Sequence, residues 1–243
     1  MIKIFPDSDE LNFFAAEKFV EMANKAIGES GRFTVALAGG STPESLYQLL
    51  AGDKFKNRID WTKVFFFFGD ERNVSPDSEE SNFRMANESL FKFLQISDEN
   101  IFRWQTELKD AEKIAENYRI SVTNFFALSE NELPRFDLIL LGMGEDGHTA
   151  SLFPFTEGLK ESGKIVVVNW VEKLNTNRLT FTYPMINNAS NVIFLVGGAS
   201  KAEALKEILE GEYQPERYPA QAVKLNDGDL FWLIERRTAR LLN

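Results

Sequence analysis

Five short apolar runs punctuate the chain: residues 33–38 (FTVALA), 64–68 (VFFFF), 136–141 (FDLILL), 165–168 (IVVV) and 192–196 (VIFLV). They are rich in β-branched or aromatic residues and nearly continuous rather than alternating. That pattern suits strands covered on both faces, as in a parallel sheet. Between them the period changes. Over residues 11–27 the apolar positions Phe14, Ala15, Phe19, Met22, Ala23 and Ala26 form a one-sided helical stripe, and 44–50, 81–94, 111–126 and 201–209 read similarly. Strands alternating with helices predict an α/β fold. The expected form is a three-layer sandwich around a mainly parallel, Rossmann-like sheet, with residues 1–243 in a single domain. The phenylalanine run reads as a buried strand, and a further strand-like stretch, RLTFT, begins at Arg178.

Charge and composition narrow the functional classes. With 37 acidic against 27 basic residues the formal net charge is -10, which argues against nonspecific nucleic-acid binding and against docking on an anionic membrane. An anionic small-molecule substrate would have to be gathered by local cations. The chain has no cysteine, which excludes disulfides, thiolate chemistry and cysteine-ligated zinc. Its first residues, MIKIFPDSDE, lack a basic region followed by an apolar stretch, and no apolar run approaches the roughly 20 residues of a membrane span. The expected setting is the cytoplasm.

Candidate chemistry lies where the apolar runs end. The single histidine, His148, falls in residues 142–154 (GMGEDGHTASLFP), directly after a strand-like run, with Asp146 two residues before it. Imidazole titrates near neutrality and can act as a base, and a neighbouring carboxylate can orient it or stabilise its charge. Gly142, Gly144 and Gly147 also spell G-x-G-x-x-G. A dinucleotide site is not expected: the motif lies in mid-chain, Glu145 and Asp146 would repel a pyrophosphate, and Pro154 and Gly158 interrupt the helix that should follow.

Three other loops complete the set. Residues 39–43 (GGSTP) place Gly40, Ser41 and Thr42 before a helix, with Ser41 or Thr42 as its cap, Pro43 in its first turn and exposed amides suited to phosphate. Residues 69–72 (GDER) carry Asp70, which could orient water or a sugar hydroxyl, and Arg72, whose planar fork could clamp a phosphate. Residues 197–201 (GGASK) set Lys201 at another glycine turn opening a helix.

In this order, GGSTP, GDERNVSPDSEESNFRM, GMGEDGHTASLFP, NRLTFTYPMINNA, FLVGGASKAEAL and YPAQAV resemble the 6-phosphogluconolactonases, within the group that includes glucosamine-6-phosphate deaminases. The resemblance covers nearly the whole chain. It implies cofactor-free and metal-free hydrolysis of a phosphorylated sugar lactone in the pentose phosphate pathway, with His148 as general base, Asp146 its partner and Asp70 placing water or substrate. Gly40, Ser41, Thr42, Arg178 and Lys201 would hold phosphate, with Arg72 either there or nearer the carbonyl. The deaminases carry a glutamate before the proline that follows the histidine; here that position is Phe153. Ser151 has no G-x-S-x-G elbow and is expected to pack or cap rather than attack. A sugar-phosphate sensor should carry a basic DNA-binding segment, and the acidic amino terminus offers none. Residues 235–243 (ERRTARLLN) are more basic than the small-residue helix the resemblance leads one to expect there.

Overall fold

A computed structural model describes residues 1–130 and 132–243. Among these residues nine strands form two sheets: β1 (Ile2–Phe5), β2 (Phe33–Leu37), β3 (Val64–Phe68), β4 (Asp70–Arg72), β5 (Leu138–Leu141), β6 (Val166–Val171), β7 (Thr176–Phe181), β8 (Asn191–Val196) and β9 (Asp229–Glu235). Six of them make a wholly parallel sheet in the order β1-β9-β8-β5-β2-β3. The remaining three form a small antiparallel sheet, β4-β7-β6. The longer helices are α1 (Ser8–Ser30), α2 (Ser41–Ala51), α5 (Ala111–Phe126) and α7 (Ala202–Glu210); the short α3 (Asn82–Ala86), α4 (Lys92–Leu94) and α6 (Tyr183–Asn187) complete the set, with a π turn joining α3 to α4.

The α/β expectation holds, and the central strands β2, β5 and β8 are buried almost throughout, as their continuous apolar character requires. Two readings are corrected. The run at 165–168 belongs to the antiparallel sheet, because β6 pairs with β7 alone and never enters the parallel ladder. The charged GDER segment is itself a strand, β4, with Asp70 and Glu71 buried. Strands β1 (IKIF), mostly exposed, and β9 (DLFWLIE), apolar after Asp229, lie outside the five apolar runs from which the strands are read. No helix follows β9: Glu235 ends the strand and the chain closes in turns. Among the described residues no helix is long and apolar enough to cross a membrane.

Helix ends follow local chemistry. The Asp7 carboxylate accepts the Glu10 amide at the start of α1 (2.9 Å), and Gly31, at φ 77°, closes its end by donating to the Ile27 carbonyl. Ser41 and Thr42 do not cap α2. Gly40 is the N-cap, at φ 100°, and no side chain caps the first turn, so its amides stay available.

The β2–β5 ladder ends at Ala36 and Ile139 and the β2–β3 ladder at Leu37 and Phe68, and two buried tyrosines satisfy the backbone at these strand ends. The Tyr47 hydroxyl donates to the Ala38 carbonyl (2.9 Å) and accepts the Ala38 amide (3.0 Å). The Tyr118 hydroxyl donates to the Phe68 carbonyl (3.1 Å) and accepts the Phe68 amide (2.9 Å), while Trp104, stacked on Tyr118, adds a second donor to that carbonyl. Ala38 and Phe68 are the residues from which GGSTP and GDER leave the sheet. Replacing either tyrosine by phenylalanine strands a buried amide, so Tyr47→Phe and Tyr118→Phe should each cost about 1–3 kcal/mol, read as a lower urea midpoint at unchanged m-value.

Candidate active site

In the strand order, β3 lies on one side of β2 and β5 on the other, so the chain reverses direction across the sheet between β2 and β5. Loops leaving such strands open a crevice, the usual ligand position in open α/β sheets. Here it is a cleft of about 330 Å³, lined by the loops after β2, β3, β5 and β8 together with Arg178 of β7. Gly40, Ser41, Thr42, Asp70, Arg72, His148, Arg178 and Lys201 all reach it. Asp146 is not on its wall but behind His148.

The histidine loop is built around that pair. His148 Nδ1 and Asp146 Oδ1 are 2.6 Å apart, and the His148 amide donates to the same oxygen (3.2 Å). A carboxylate can only accept, so Nδ1 carries a proton, and in the neutral ring Nε2 is the nitrogen with the free lone pair. The other carboxylate oxygen, Oδ2, accepts from the Lys173 ammonium, a residue the sequence reading missed. Partial burial pushes the Asp146 carboxyl up, but the His148 and Lys173 contacts outweigh it and hold the group below the usual carboxylate range. The imidazole also stacks on Phe153, with ring centroids 4.0 Å apart and planes 23° from parallel. The position that bears glutamate in the deaminase pattern thus gives the histidine an apolar face.

The G-x-G-x-x-G spacing has a local cause. A Cβ on Gly144 would lie 2.0 Å from His148 Nδ1 and 2.8 Å from Asp146 Oδ1. Gly147 takes φ 78° and packs against Tyr218. These glycines let the loop fold tightly over its own imidazole–carboxylate pair.

Asp70 lies at the cleft wall with both oxygens engaged. Its Oδ2 accepts the Ser151 hydroxyl (2.6 Å), and Oδ1 faces the Asn82 amide nitrogen (3.4 Å). Ser151 is therefore a support for Asp70, as its lack of an elbow suggests. Glu71, to which the sequence assigned no role, organises the loop. Its carboxylate accepts the amides of Arg72, Asn82 and Phe83 at 2.8–2.9 Å, tying β4 to the start of α3. Burial pushes the Glu71 carboxyl up against these three donors. Asn82, which also donates to the Asp70 carbonyl (2.9 Å), fills the space a Cβ on Gly39 would need.

The cations are arranged without partners of opposite charge. Arg72 and Arg178 stand directly opposite one another across the β4–β7 ladder, an unfavourable like-charge pairing. Burial, and then Arg72, lower the Arg178 pKa. Burial also lowers that of Lys201, with only Glu145 opposing the shift. Among the described residues none of the three is in a salt bridge, although Arg72 donates to the Glu80 carbonyl (2.5 Å). The turn that carries Lys201 is fastened from the chain's end: Glu235 accepts the Gly198 amide (3.3 Å), and Thr238 donates to its carbonyl (3.0 Å). Among the described residues no cluster of three or more His, Asp or Glu side chains is placed to hold a metal ion.

Fold and site together define a Rossmann-like α/β protein whose cleft joins an oriented imidazole to cations suited to a small anion. The chain belongs to the glucosamine-6-phosphate isomerase/6-phosphogluconolactonase family, whose profile matches residues 6–232. A 6-phosphogluconolactonase of Synechocystis is 43% identical over 218 residues, covering 90% of this chain and 88% of the relative. One of Nostoc is 38% identical over 234 residues, covering 96% and 95%. The solved 6-phosphogluconolactonase of Trypanosoma brucei superposes with a TM-score of 0.89 at 29% identity, over 100% of this chain and 98% of that one.

Two outcomes test the geometry. Gly144→Ala should retain its far-UV circular dichroism but lose the downfield proton resonance of the Nδ1–H···Oδ1 contact, since the methyl group cannot coexist with it. Because the folded Asp146 carboxyl is held below its unfolded value, its pairing stabilises the fold above about pH 4, and that contribution fades as pH falls through the folded value. The stability gap between wild type and Asp146→Asn should therefore be full at neutral pH and shrink in acid, measured by urea unfolding across pH.

Proposed function

We propose that this protein hydrolyses 6-phospho-D-glucono-1,5-lactone to 6-phospho-D-gluconate, the lactonase step of the pentose phosphate pathway, in the cytoplasm. Family membership and the close lactonase relatives support the substrate class. The observation that carries the reading is the placement of an imidazole, oriented by its carboxylate, in one cleft with three cations free of carboxylate partners.

His148 Nε2 takes a proton from water as the oxygen attacks the lactone carbonyl. The tetrahedral intermediate collapses with release of the ring oxygen, which receives the proton back from the imidazolium. Asp146 fixes the tautomer and stabilises the imidazolium between the two transfers. No covalent enzyme intermediate is required, and the Ser151 hydroxyl is already committed to Asp70. Asp70 positions the water or a sugar hydroxyl. The uncapped start of α2, formed by Gly40, Ser41 and Thr42, holds phosphate together with Arg178 and Lys201. A phosphate dianion relieves both the Arg72–Arg178 opposition and the burial of Lys201. Anchoring this remote group helps place the lactone carbonyl against the base. Phe153 supplies no carboxylate for amino-sugar ring opening, so glucosamine-6-phosphate should not be turned over.

The test follows loss of freshly generated 6-phosphogluconolactone against its spontaneous rate. Wild type should accelerate it, and His148→Ala should lose about 10²–10⁴-fold in kcat with folding intact. Near-normal turnover by the folded variant would remove His148 as base. Arg178→Ala and Lys201→Ala should raise KM about tenfold or more while changing kcat less. Deamination of glucosamine-6-phosphate without lactone hydrolysis would overturn the substrate assignment.

A further inference from the structure

Lys173 lies outside every motif that carries the family resemblance, yet it closes a four-membered cluster with Asp146, His148 and Phe153. Its ammonium donates to Asp146 Oδ2 and sits 4.8 Å from the centroid of the Phe153 ring on which the imidazole stacks. The turn bearing it, Glu172–Leu174, is closed by Asn175 at φ 47°, whose amide donates to the Glu172 carbonyl (2.9 Å). That turn runs directly into β7, the strand of Arg178.

An exposed ion pair alone contributes little. This one differs in what its anionic partner does. A carboxylate beside an imidazole orients the ring but also strengthens its hold on a second proton, which diminishes the free base in mild acid. A cation on the far oxygen keeps the first effect and weakens the second.

We infer that Lys173 is a positioning residue for the base: it pins Asp146 Oδ2, leaves Oδ1 to His148, and tempers the carboxylate's charge so that the imidazole stays available to accept a proton. This rests on the assignment of His148 as base. The other charged groups lining the cleft with His148 are Glu145 from its own loop, Asp70 and Arg72 from β4, Arg178 from β7 and Lys201 from the turn before α7, and Tyr218 packs against Gly147. Lys173 is the cation among them that bonds Asp146.

Because the chain has one histidine, the imidazole Cε1–H resonance reports His148 alone, without substrate. In Lys173→Met the titration midpoint of that resonance should move to higher pH by about half a unit or more, the size expected for a unit charge removed from roughly 5 Å in a largely aqueous surround. The acid limb of kcat/KM should move with it. Lys173→Arg should restore both, and Asp146→Asn should shift the resonance the opposite way. Midpoints that coincide in wild type and Lys173→Met, or an Arg variant as displaced as the Met variant, would overturn the role of Lys173. A failed base assignment has a different signature: His148→Ala would retain turnover while the ring of the Lys173 variants still shifted.

Discussion

Parallel strands that diverge at their carboxyl ends leave backbone amides and carbonyls without ladder partners, and a buried orphan of this kind is costly. Everything functional in this molecule depends on how that problem is solved at Ala38 and Phe68. Tyr47 and Tyr118 each present one hydroxyl that both donates to and accepts from the same residue's backbone. Full burial pushes both phenols far above the ordinary tyrosine range, so each keeps the proton it must donate. With the backbone closed in this way, β2 can part from β5 beyond the Ala36–Ile139 pair, and the loops that leave β2 and β3 start from satisfied backbone.

From those supports the site assembles by close packing of polar groups rather than by flexible reach. Gly39 admits the Asn82 amide, and Gly144 admits the imidazole and its carboxylate. Glu71 gathers three amides to tie β4 to α3, and Asp70 beside it is held by Ser151 and Asn82. Among the described residues the cleft cations have no carboxylate partner, and no side chain caps the first turn of α2. That asymmetry, satisfied carboxylates beside unsatisfied positive charge, is what a net acidic protein needs to draw an anionic substrate to one place.

Much of this was legible in the sequence, for physical reasons that differ by element. The strands β2, β3, β5 and β8 are buried on both faces and announce themselves as apolar runs. Strand β1 is short and mostly exposed, so its pairing with β9 is a tertiary fact without a local signal. The antiparallel sheet was concealed differently: β4 consists of Asp70, Glu71 and Arg72, whose charge suggests a surface loop although Glu71 is almost fully buried. Most cleft residues were found because they sit at strand exits beside glycines, whereas Arg178, inside β7, was assigned through the family resemblance. Lys173 and Glu71 were not, since one acts from a turn with no motif and the other is stabilised by backbone amides that only the folded chain supplies. Ser41 and Thr42 lie at the predicted place without the predicted capping bonds, because Gly40 takes the cap position itself.

In the proposed reaction the four strand-end loops together hold phosphate at one end of the cleft and present the reacting carbon to His148 at the other. The most direct measurement is a structure with the product, 6-phosphogluconate, bound. The phosphate should lie on the first turn of α2 with Arg178 and Lys201, and the C1 carboxylate within about 3 Å of His148 Nε2. A phosphate seated against His148, or a product bound outside the cleft, would contradict it.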